Sequence, residues 1–180
     1  MSDLAVLVQS MAGSGQLDPP LLTERNMPAR LSRTSGTLSA DLVGTWELVS
    51  RLDRTPSGEP RPEPTLGEDP AALLYYDRTG HFAAQFMKRD RTTVVEKQAA
   101  AGPNNSRACE GYDAYFGTYA VDDLRGTVTQ RLDGALSPEN VGQVLTRAMR
   151  VTGDTLTIAL DTATAAGEPV TRTLVWRRVG

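Results

Sequence analysis

Leu42-Val43-Gly44-Thr45-Trp46-Glu47-Leu48-Val49-Ser50 decides how this chain is read. Its side chains alternate with a period of two, and a glycine stands two residues before Trp46. In a strand over residues 44–52, Trp46, Leu48 and Ser50 share one face, while Glu47, Val49 and Arg51 share the other. Upstream of this stretch the alternation is absent; downstream it returns again and again.

The repeats downstream read as strands. Residues 71–76 form a second strand, Asp77-Arg78-Thr79-Gly80 a turn, and residues 81–87 a third, so the two make a hairpin. In the third strand His81, Ala83, Gln85 and Met87 lie on one face and Phe82, Ala84 and Phe86 on the other. Strand character resumes at residues 115–121, 126–132, 143–151, 155–160 and 170–179. No helix long enough for a parallel crossover separates them, so the sheet is expected to be antiparallel. The count is eight, which closes into an up-and-down barrel wide enough for a small ligand. Two longer excursions interrupt it. Residues 56–70 hold five prolines and are read as a loop, because proline cannot donate to a ladder. Residues 88–113 break the alternation: 94–101 carry good helix formers before Gly102-Pro103, and 106–112 suit a further helical turn. Both are candidate lids, the second a short helical one.

Residues 1–40 are expected to be an extension, either poorly ordered or packed on the barrel, and residues 41–180 the barrel domain. Leu4, Leu7, Val8 and Met11 recur at helical spacing behind Ser2, which suits a short helix. The net charge of −3 makes no electrostatic case for nucleic acid or an anionic membrane. No apolar run approaches the roughly 20 residues that span a bilayer. With no basic, then apolar, leader and a single cysteine, Cys109, the expected compartment is the cytoplasm. One histidine and one cysteine exclude the usual zinc sites, and no cofactor is expected. A homodimer is kept open.

Several polar residues sit among apolar neighbours of a strand face. Tyr115 and Tyr119 share a face, with Gly117 leaving room between them; Gln85 and Met87 share another. Gln130 lies between Val128 and Leu132, and Arg147 between Leu145 and Met149. An arginine on an inward face needs a carboxylate, a set of acceptors or an anionic ligand. Either that face is solvated, or Arg147, Gln130 and the tyrosines orient a ligand's carbonyl, phenol or carboxylate in an apolar lumen. His81 is either a turn residue or a general base lining the pocket. Glu110 and Asp113 flank Tyr112 and are either a solvated loop face or an acid–base pair.

Four stretches together resemble the lipocalin-like domain family of bacteria and fungi, within the wider calycin group of β-barrels: 44–50, 74–82, 115–119 and 174–179. The resemblance covers about residues 42–179. It implies a barrel whose first tryptophan, Trp46, closes one end beneath a basic residue of the last strand, Arg178 or alternatively Arg177. Trp176 of that strand joins the ligand-facing set. Where many relatives have a histidine in the fifth strand, this chain has Gln130, which puts an acid–base role there in doubt. The expected function is the binding of an apolar small molecule. The alternative is a cofactor-free cyclase or isomerase of specialised, polyketide-type metabolism in the same pocket, with Arg147, Tyr119 and His81 as catalytic candidates. Such an enzyme would work mainly by holding a flexible substrate in a reactive shape.

Overall fold

A computed structural model describes residues 36–92 and 102–180. The helix expected near Leu4–Met11, most of the N-terminal extension, and the helix expected over 94–101 lie outside the described residues. A short helix, α1 (Leu38–Asp41), leads into β1 (Gly44–Arg54). Then follow β2 (Pro60–Arg61), β3 (Ala71–Tyr76), β4 (His81–Met87), β5 (Tyr112–Asp122), β6 (Thr127–Ala135), β7 (Val144–Thr152), β8 (Thr155–Ala163) and β9 (Pro169–Arg178). All neighbouring pairs are antiparallel in the order β2-β1-β3-β4-β5-β6-β7-β8-β9, and β1 also pairs with β9, so eight strands close a barrel. Among the described residues, no helix is long and apolar enough to cross a membrane.

β1 is the strand on which closure depends. One edge runs along β9 from Trp46↔Arg178 to Arg54↔Thr171. The other pairs with β3 only from Gly44↔Tyr76 to Glu47↔Leu73, and its far end holds β2 through Asp53↔Arg61 and Arg54↔Pro60. The proline-rich segment is thus not wholly loop. A two-residue edge strand tolerates Pro60 because an edge position demands no second ladder bond.

A bulge between Leu48 and Ser50 corrects the expected face assignment of β1. One extra residue flips every later side chain to the opposite side. Trp46 and Leu48 point inward as read, but Ser50 turns out, and Asp53, with Arg51 partly, turns into the barrel. The expected helical turn over 106–112 is also replaced. Cys109 and Tyr112 form an isolated bridge, Glu110 takes positive φ, and β5 starts at Tyr112.

Strand connections sort the barrel into two ends. The turns after β3, β5 and β7 lie at the end where β1 begins; the long connections after β1, β4, β6 and β8 lie at the other. The first end and the middle are filled by fully buried Trp46, Tyr76, Val128, Leu132, Leu156 and Trp176. α1 seats Leu42 there, with no exposed surface, and Ser39 hydrogen-bonds Asp123 through both its amide and its hydroxyl.

Candidate functional site in the barrel mouth

At the closed end the donors of Arg178 and Trp46 are met. The Arg178 guanidinium lies over the Trp46 ring, 4.1 Å from its centroid. It donates to the carbonyls of Val43 (2.7 Å) and Asp41 (2.5 Å). Trp46 Nε1 donates to the Leu42 carbonyl at 2.9 Å. Gly44 is required here: its φ is +143°, and a Cβ would collide with the Arg178 guanidinium. Arg177 points outward and pairs with Glu47 at 2.6 Å, so the basic residue over Trp46 is Arg178.

Two catalytic candidates belong to this end. His81 is exposed on the turn after β3, with Nδ1 2.9 Å from Thr79 Oγ1 and 3.6 Å from Asp77. Tyr119 donates to the Asp77 carbonyl at 2.6 Å and packs edge-on against Tyr76. Burial, then the Asp77 charge, push its phenol up. Gln85 and Met87 lie on the outer face of β4, where Gln85 accepts a bond from Tyr112. The face of β4 that turns inward is Phe82, Ala84 and Phe86, because two phenylalanines lose far more by exposure than Gln85 and Met87 gain by burial. His81, Gln85 and Met87 are therefore corrected: the fold does not bring them to the lumen.

Arg147, Gln130 and Tyr115 do meet inside, all buried. Arg147 Nη1 donates to Gln130 Oε1 (3.2 Å) and reaches Tyr115 Oη (3.4 Å). Gln130 Nε2 donates to Tyr76 Oη at 2.7 Å, and that hydroxyl faces Met149 Sδ. The chain fixes the orientation of the Gln130 amide. Gly117 lies between Tyr115 and Tyr119 for a steric reason, since a Cβ there would strike the Arg131 carbonyl. Trp176 lies inward as expected and packs edge-on against Phe86, with Nε1 unpaired among the described residues.

Above this layer is a cavity of about 50 Å³, lined by Arg147, Tyr115, Asp113, Phe86, Leu160 and Leu174 among others. It adjoins a space of about 320 Å³ under the proline-rich segment and the β8–β9 turn; Glu63, Thr65, Asn105 and Arg172 border both. The inner cavity has room for no more than a few water-sized groups, while the outer one has the volume of a small-ligand site.

Four further charged residues that the sequence reading does not place at the site, Arg172, Asp53, Arg51 and Glu63, line the mouth beside Asp113. Arg172 grips Asp53 with two bonds of 2.7 Å, both side chains buried. Arg51 bonds Glu63 at 2.7 Å, and the Thr65 and Leu66 amides donate to the same carboxylate. Burial works to raise the Glu63 carboxyl, but Arg51 and these amides outweigh it and hold it low. Asp113 is different. Only 3% exposed, it accepts from Ser106 Oγ at 2.6 Å through Oδ2, while Oδ1 is buried with no partner among the described residues. Burial pushes its carboxyl up to about 6, with Ser106 and Arg147 opposing. Arg147 is the counterpart, its Nε buried and unpartnered among the described residues. Glu110 has its backbone in the turn before β5, outside this cluster.

Residues 102–108 roof the site. Asn104 takes a bond from the Thr146 amide (2.9 Å) and donates to its carbonyl (2.6 Å). Asn140 does the same for both backbone groups of Arg107. This holds Ser106 against Asp113.

A family model described as a lipocalin-like domain matches residues 43–179. A comparison with curated proteins finds no match.

Proposed function

The chain belongs to the lipocalin-like domain family, and from that premise we propose that its barrel binds a small, largely apolar molecule head-first through the open mouth. The head is a hydrogen-bond acceptor, a carbonyl or similar oxygen, held by Arg147 beside Gln130 and Tyr115. The body lies in the outer space against Pro62, Pro64 and Ala165. The observation that carries this reading is Arg147: a buried guanidinium, without a carboxylate bonded to it and with Nε unpaired among the described residues, lining a cavity that leads outward. A buried donor left unmet costs free energy that a guest's acceptor would recover.

Isothermal titration with 2-acetonaphthone tests it. Arg147→Met is expected to weaken binding at least tenfold, as loss of a charge-assisted hydrogen bond does. Equal affinity of the two proteins would sink the assignment.

A cofactor-free cyclase or isomerase in the same lumen is the second reading, favoured by Asp113, whose carboxyl at about 6 is placed to take and return a proton near neutrality. Mass-spectrometric turnover of a linear polyketone by wild type, lost in Asp113→Asn, is the expected result; identical product formation with and without protein removes this reading.

A further inference from the structure

Five buried or half-buried arginines line the two cavities of the mouth. Four of them are closed in ion pairs: Arg172 with Asp53, whose carboxylate oxygens are both bonded, Arg51 with Glu63, Arg61 with Glu168 and Arg107 with Glu139. The remaining couple, Arg147 and Asp113, lines the inner cavity, yet no hydrogen bond joins them. Each keeps one fully buried polar atom without a partner among the described residues, a donor on Arg147 (Nε) and an acceptor on Asp113 (Oδ1). Counted with their partners, these charges nevertheless balance, five against five. A neutral guest leaves that balance intact, whereas a carboxylate or an ammonium would upset it in a poorly solvated space.

Resting on the lumenal-binding reading above, we infer that the site is built for a neutral head group carrying an acceptor and an adjacent donor, the acceptor bound by Arg147 and the donor by Asp113. Lactams, primary or secondary amides and hydroxy-carbonyl groups have that pairing; simple ketones and esters have half of it. The selectivity follows from the cost of leaving a buried acceptor unmet. A guest that satisfies Arg147 but lacks the donor seals Asp113 Oδ1 away from water with nothing to bond. Ser106, held by the roof segment, fixes the carboxylate so that Oδ1 is the oxygen left for the guest.

The experiment compares 2-quinolone, which has the lactam N–H beside its carbonyl, with N-methyl-2-quinolone, which keeps the carbonyl and loses the donor. Titration at pH 7.5, followed by ligand fluorescence, is expected to show the N–H compound bound at least tenfold more tightly. In Asp113→Leu the ratio should fall to about one, while Arg147→Met weakens both compounds. Below pH 6 the wild-type ratio should shrink as Asp113 takes up a proton and stops accepting. Equal affinities in wild type overturn the inference, water then being the filler of the gap, and leave lumenal binding standing. If neither quinolone binds but 2-acetonaphthone does in an Arg147-dependent way, the inference falls and the broader reading survives. If none of the three binds, both fall. Should Asp113→Leu not fold, the wild-type ratio alone still decides.

Discussion

The two ends of the barrel use the same kinds of side chain to opposite effect. At the closed end an arginine lies on an indole, donates to two carbonyls and shares its surroundings with a tryptophan whose N–H is also bonded. At the mouth an arginine lies near a phenol and an amide, with one donor buried and unmet. Residue type does not separate a seal from a site. The completeness of the hydrogen bonding does.

Mutations that break this contrast should rank as follows. Trp46→Ala removes a fully buried indole from the seal and should cost about 5 kcal/mol in urea unfolding. Asp53→Ala orphans Arg172 in the buried pair and should cost about 3–4 kcal/mol. Asp113→Asn should go the other way. A carboxyl raised in the folded state favours the protonated fold, so wild-type stability should fall as pH climbs from about 4 through about 6, by roughly 3 kcal/mol. Unfolding midpoints at pH 4 and pH 7 should show this slope in wild type and lose it in the variant. Arg147→Met should change stability by less than about 1 kcal/mol, since an apolar side chain of similar length replaces an incompletely bonded cation. If it instead destabilises as much as Asp53→Ala, the mouth arginine is structural and the contrast collapses. Arg177→Ala, on the outer surface, should stay within about 0.5 kcal/mol.

Much of the fold is legible in the sequence, and less of the site. The β3–β4 hairpin is found to the residue, because Asp77-Arg78-Thr79-Gly80 punctuates two clean alternations. Gln130 and Arg147 are legible as inward because apolar residues stand two positions away on either side, and Tyr115 is legible as one of two tyrosines on a strand face with Gly117 between them. Arg51 and Asp53 are not, because a bulge at Val49 reverses their face and no local residue announces it. Arg172 pairs with a residue 119 positions away, which no window can see, although Val170 and Leu174 on its own face were a usable signal. Asp113 is legible as a possible acid, but its place on the face of Tyr115 depends on β5 starting as early as Tyr112. Gln85 and Met87 share a face that turns outward, because Phe82 and Phe86 set the inward face of β4.

Asn104 deserves a different kind of reading from the rest of the roof. β7 pairs with β8 only from Ala148↔Ala159 to Thr152↔Thr155, so toward the mouth the two strands part company. There the Thr146 N–H and C=O would stand open as a template for a strand from another molecule. Asn104 occupies both with its side-chain amide, and Gly102 packs so closely on Thr162 and Ala163 that a Cβ would not fit. Asn104 thus caps an edge that would otherwise be open to pairing, and Asn104→Ala is expected to show itself first as turbidity on storage.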